Sequence, residues 1–106
     1  MAKKWIGVDL DGTIAKLDGW KGTYHIGEPI KPMVDRVKKW IGEGKTVKIM
    51  TARADNADKR TISAIKNWCK EHIGQELEIT NKKDMHMIAL FDDKAIRVEK
   101  NTGKLL

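Results

Sequence analysis

The sequence predicts an α/β domain, a doubly wound sandwich of three layers with a mainly parallel sheet. Two observations carry this: short apolar runs alternate with stretches of helical periodicity, and the apolar runs end in polar residues. A third bounds it. With 106 residues, 41% of them hydrophobic, the chain has room for one compact domain and not for two. Parallel strands must be joined by crossovers, which places helices on the faces of the sheet.

Trp5 to Val8 is an apolar run of strand length that ends at Asp9. "KLDGWKGTYHIGEPIKP" follows, rich in Gly and turn residues, and closes at Pro32, suited to the first turn of a helix. In that helix Ile30, Val34, Val37 and Ile41 recur at helical spacing, and Gly42 and Gly44 supply the stop. "TVKIMT" is the second strand. "ARADNADKR" is a polar loop offering Asp55, Asn56 or Asp58 as N-cap of a second helix. Its core stripe is Ile62, Ile65, Cys69 and Ile73, with Trp68 at the edge and Gly74 at the end. "LEIT" and "MIALF" are the third and fourth strands, and "AIRVEKNTGKLL" predicts two strand fragments about a turn at Asn101 to Gly103.

No apolar run approaches the roughly 20 residues of a membrane span, and the lysine-led start lacks the apolar stretch of a secretory signal. A cytoplasmic location without membrane partners is therefore expected. Cys69 is the sole cysteine and falls on the apolar side of its helix, as a core thiol. A net charge of +6 favours anionic partners without naming one.

In doubly wound sheets ligands bind beyond the carboxyl ends of the strands, where Asp9, Thr51 and Asp92 stand. Two carboxylates one residue apart, Asp9 and Asp11, cannot both lie buried and unpaired, and they call for a cation. With Asp92 and Asp93 they form a four-carboxylate, all-oxygen set suited to Mg²⁺ rather than zinc. Gly12 permits a tight turn that brings amide N–H groups towards an anion, and Lys82 or Lys83 can supply the opposite charge. Such an assembly stabilises a transferring phosphoryl group, with one carboxylate able to attack phosphorus.

"DLDGT", "KIMTAR", "TNKKD" and "FDDKA", in this order and each at a strand end, resemble the four motifs of the haloacid dehalogenase superfamily of phosphohydrolases. The resemblance implies a Rossmann-like core and a Mg²⁺-dependent phosphatase. In it Asp9 is nucleophile and metal ligand, and Asp11 is general acid and base, with its backbone carbonyl on the metal. Thr51 is implied to hold phosphoryl oxygens, and Asp92 and Asp93 to complete the metal shell. For the motif lysine it favours Lys83, one residue past the Asn81-Lys82 step. Neither inter-motif gap has room for the cap domain of many relatives, so a capless chain with a short flap at about 14–31 is expected. An open site of this kind is covered by a bulky substrate or by a neighbouring subunit.

Trp20 and Tyr24 on the flap are candidates for stacking on a base or sugar, or for packing under a Gly-rich loop. Arg53 and Arg60 flank the presumed mouth and can meet a second phosphate or remain exposed charges. Trp40 and Trp68 read as core. "GEGKT" is not a phosphate-binding P-loop, since Lys39 replaces its first glycine and a helix precedes it. "DLDGT" is not a calcium loop, and His25, His72 and His86 lack zinc spacing.

The expected function is a phosphomonoester hydrolase acting on a phosphorylated small molecule, notably a nucleotide, or on a nucleic-acid end. The alternative is an idle phosphate- or nucleic-acid-binding module on the same fold. A receiver domain would carry its acidic pair after the first strand and its phosphorylated aspartate later, which the D-x-D-G-T order disfavours.

Overall fold

The computed structural model describes residues 3–106. Four strands, β1 (Trp5–Asp9), β2 (Thr46–Met50), β3 (Glu78–Thr80) and β4 (Met87–Phe91), form one sheet in the order β3-β2-β1-β4. Every pairing is parallel. Helix α1 (Lys31–Gly42) links β1 to β2, and α2 (Lys59–His72) links β2 to β3. The α/β class, the parallel sheet and the absence of a cap domain are as the sequence predicts.

Each helix begins and ends on its own chemistry. Pro32 stands in the first turn of α1, where its missing N–H costs no hydrogen bond, and Gly44 at φ +81° turns the chain out after the last turn. Of the three N-cap candidates for α2, Asp58 takes the position: its carboxylate accepts the Thr61 N–H at 2.8 Å.

Both helices bury their apolar stripes on the same side of the sheet. One cluster unites Ile6 and Val8 of β1, Val47 and Ile49 of β2, Val34 and Val37 of α1, and Ile65, Trp68 and Cys69 of α2. Side chains alternate across a strand, so these strand residues share one face. The predicted helices on both faces are thus corrected to helices on one face among the described residues. Right-handed crossovers explain this, since β1-α1-β2 and β2-α2-β3 step in the same direction across the sheet. The return from β3 to β4 passes the other way in only six residues, 81–86, too few for a helix.

Trp5 closes the second face instead. It is 1% exposed, its indole N–H donates to Asp84 Oδ1 at 2.9 Å, and Lys48 Nζ lies 4.6 Å from its ring centroid. Gly7 makes room for this ring: a Cβ there would come within 3.1 Å of both Trp5 and Leu90.

Two smaller corrections concern the core and the C-terminus. The buried stripe of α2 is Thr61, Ile65, Trp68 and Cys69, so Trp68 lies inside while Ile62 is half-buried. Trp68 is pulled in by a hydrogen bond from its indole N–H to the Gly27 carbonyl at 2.9 Å. The C-terminal fragments make a turn with a single bridge, Val98 to Leu105, and do not join the sheet. Among the described residues no helix is long and apolar enough to cross a membrane.

Ile65 is fully buried, so Ile65→Ala should lower unfolding free energy in denaturant by about 2–5 kcal/mol. Ile62→Ala should cost clearly less. Equal losses would mean that α2 faces the sheet as the apolar periodicity alone suggests.

Candidate functional site

Parallel register decides which residues meet. Asp9 pairs with Met50 and Val8 with Phe91, so Asp9, Thr51 and Asp92 emerge together at the carboxyl ends of β1, β2 and β4. Beyond β1 the chain is anchored at Leu10 and Ile14, both fully buried, and the Leu10 carbonyl accepts the N–H groups of Ile14 and Ala15. Asp11, Gly12 and Thr13 are therefore held in a fixed turn.

Carboxylate oxygens of Asp9, Asp92 and Asp93 lie within 4.8 Å of one another. Thr13 ties two of them together. Its hydroxyl lies 3.2 Å from Asp9 Oδ2 and 3.1 Å from Asp93 Oδ1, and it accepts the Asp93 N–H at 3.0 Å. Gly12 is required by this approach. It sits at φ +90°, and a Cβ there would fall 2.7 Å from Asp93 Oδ2.

The Gly12 N–H itself donates to the Ala15 carbonyl at 2.8 Å. The turn does not aim it at the cleft. The role of Gly12 is to admit Asp93.

Burial raises the Asp9 carboxyl from its ordinary 3.8 to about 7, with the hydrogen bond to Asp93 and the charge of Asp92 pushing the same way. Asp93 moves down, chiefly through its hydrogen bond with Asp9. Asp9, Asp92 and Asp93 each offer a carboxylate oxygen, the donor type a hard divalent cation takes, and together could hold one.

Asp11 is the fourth predicted carboxylate, and its side chain turns away from the other three. Arg53 takes it in a two-pronged pair, Nε to Oδ2 at 2.8 Å and Nη2 to Oδ1 at 2.7 Å. Arg53 is neither an exposed charge nor free for a second phosphate, since its side chain is only 6% exposed. Its Nη1 also donates to the carbonyls of Thr23 and His25 at 2.9 and 2.8 Å. The guanidinium carbon lies 4.6 Å from the Trp20 ring centroid.

The flap is a loop cinched at its base, where Lys16 N–H donates to the Glu28 carbonyl and Ala15 bridges Pro29. Ile14 and Ala15, expected within it, belong to the core. Tyr24 serves structure: its hydroxyl donates to Asp58 at 2.8 Å and Arg60 lies over its ring at 4.0 Å. Trp20 has no such bond and is 61% exposed.

Thr51 is buried, at 4% exposure, and its hydroxyl oxygen accepts the Arg53 N–H at 3.1 Å. The hydroxyl proton is not spent on that bond and remains for an acceptor in the cleft. This cleft has a volume of about 660 Å³ and holds Asp9, Asp11, Thr51, Asp92 and Trp20 along its walls.

Neither Lys82 nor Lys83 is among the residues that line it. Thr80 and Lys82 close a turn through the Thr80 hydroxyl, and Asp84 binds Trp5 at the far end of β1. Lys83 lies between, on the stretch that runs back along the sheet. Two cations line the cleft, Arg53, already paired with Asp11, and Lys94, whose charge also lowers Asp93. The sequence reading missed Lys94 and Thr13, although both stand inside the quoted motifs "FDDKA" and "DLDGT".

Cys69 is buried, and burial pushes its thiol up to about 11, as an inert core residue. The three histidines contribute to no metal-binding group among the described residues.

No family model and no curated protein matches the sequence. Among solved structures, a conserved protein coded by a locus of Bacteroides thetaiotaomicron superposes with a TM-score of 0.63 at 24% identity, over 89% of this chain and 78% of that one. At that identity the likeness establishes the fold.

The raised Asp9 sets a pH dependence. The folded state holds this proton more tightly than the unfolded chain, so Asp9 stabilises below pH 3.8 and that contribution is lost as pH rises to about 7. Thermal melting without metal should show this decline in the wild type, and Asp9→Asn should flatten it. Added Mg²⁺ should raise the wild-type melting temperature more at pH 8 than at pH 5.5; equal shifts would place the ion elsewhere.

Proposed function

We propose that the protein is a Mg²⁺-dependent phosphomonoester hydrolase that works through an aspartyl phosphate on Asp9. The reading rests above all on the meeting of Asp9, Asp92 and Asp93 beside the Thr51 hydroxyl at the carboxyl ends of parallel strands. The four-motif resemblance to the haloacid dehalogenase superfamily points the same way. The substrates are phosphate esters such as nucleotides or nucleic-acid ends.

Asp9, Asp92 and Asp93 would hold the cation, which when bound offsets the charge of the carboxylates and the phosphoryl oxygens. A carboxylate oxygen of Asp9 attacks phosphorus as the bond to the leaving oxygen breaks. Thr51 donates its hydroxyl proton to a phosphoryl oxygen, and Lys94 supplies countercharge at the cleft wall. Asp11 protonates the leaving oxygen, then takes a proton from the water that attacks phosphorus and frees Asp9.

Arg53 bears on both roles of Asp11. The bidentate guanidinium pair engages both carboxylate oxygens of Asp11. Delivering a proton to the leaving group requires that pair to loosen. The same pairing supports the second reading, an idle phosphate-binding module in which Asp11 is a structural anchor for the flap.

Hydrolysis of a generic aryl phosphate with Mg²⁺ separates the two. Wild-type protein should turn it over, Asp9→Asn should abolish turnover, and Asp11→Asn should reduce it by about 10²–10⁴-fold. Activity in Asp9→Asn equal to that of the wild type would remove the enzyme reading. In the same assay Lys94→Ala should lose far more activity than Lys83→Ala, and the reverse order would return the countercharge to the loop after β3.

A further inference from the structure

The cleft is larger than a phosphoryl group requires. At about 660 Å³ it lies within the range of pockets that enclose a small organic ligand, and its walls carry Leu17, Met50 and Leu90 beside the polar groups. Part of the substrate beyond the phosphate must account for that apolar lining.

Trp20 is the distinctive surface in this space. It projects from the flap into the cleft wall and keeps 61% of its surface exposed, although one face of the indole rests on the Arg53 guanidinium. A ring covered on one face and this exposed presents its other face to solvent. Tyr24, on the same flap, shows what a structural aromatic looks like here, with its hydroxyl bonded to Asp58 and its ring under Arg60.

Arg53 makes the platform rigid. It is nearly buried and held by Asp11 on one side and by the Thr23 and His25 carbonyls on the other. The indole that lies on it is therefore preorganised, and a planar partner would lose little further freedom on stacking. Further anchors keep the flap in place: the Trp68 indole holds the Gly27 carbonyl, and a Cβ at Gly27 would run into the Lys16 carbonyl.

We infer that the outward face of Trp20, backed by Arg53, is a stacking platform for a nucleobase, and that the substrate of this site is a nucleoside monophosphate rather than a sugar phosphate. For the ester the inference rests on the phosphatase reading; for the stacking it does not. Every base has a π-face, so a platform of this kind tolerates any base and selects against leaving groups that lack a flat ring.

Adenosine 5′-monophosphate and ribose 5-phosphate differ by the base alone, and they form the test. Wild-type kcat/KM should favour the nucleotide by roughly tenfold or more. Trp20→Leu should bring the ratio close to one, and Trp20→Phe should keep most of it. The ratio is the readout, because a merely slackened flap lowers both substrates together; a wild-type ratio near one, or an unchanged ratio in Trp20→Leu, would overturn the platform.

Calorimetric titration of both ligands into Asp9→Asn protein separates the two claims. Tighter binding of the nucleotide, with hydrolysis of neither ligand by the wild type, would leave the platform and sink the phosphatase. Hydrolysis of both at equal kcat/KM, with equal binding, would do the opposite.

Discussion

Three carboxylates that repel one another are pressed together at the end of a parallel sheet, and much of the local structure follows from that. Asp9 cannot retreat, because the residues on either side of it in β1 and the following turn are buried. Asp93 cannot retreat either, since its N–H is bound to the Thr13 hydroxyl. The chain meets the repulsion with a hydroxyl placed between two carboxylates and a glycine that lets the second one approach. Each of these would be unnecessary if the carboxylates were apart. A cation is the ligand that relieves such an arrangement most directly, because its attraction offsets both the cost of desolvation and the mutual repulsion.

Arg53 organises the other half of the cleft. One side chain fixes the carboxylate of Asp11, caps the carbonyls of the flap and supports the ring of Trp20. A flap of this length has no core of its own, and its order comes from such attachments rather than from hydrophobic burial. Breaking the guanidinium pair would release the acid and the flap in one event. The wall of the cleft and the group proposed to move protons are therefore mechanically linked.

Among the described residues the sheet carries helices on one side only, and the alternation in β2 expresses this. Thr46, Lys48 and Met50 are half-buried while Val47 and Ile49 are buried, as expected of a strand with one packed face. β1 is buried on both faces because the side chain of Trp5 covers the face opposite the helices. That solution suits a short chain: six residues connect β3 to β4, and one indole, held by Asp84 and Lys48, closes the gap.

The class of the fold and the meeting of Asp9, Thr51 and Asp92 were legible in the amino-acid sequence alone. Strand runs, helix caps and turn glycines are local signals, and a parallel sheet brings strand ends together whatever the loops do. The path of the loops was not legible. Lys83, favoured by its distance from β3, is not among the residues lining the cleft, whereas Lys94 is. Side-chain pairing across the chain was equally hidden, since nothing near Arg53 announces Asp11, 42 positions earlier. Local patterning determined what the elements are and which strands end in acid; only the folded chain decided which charges neutralise each other, because that depends on distances that no spacing along the polymer encodes.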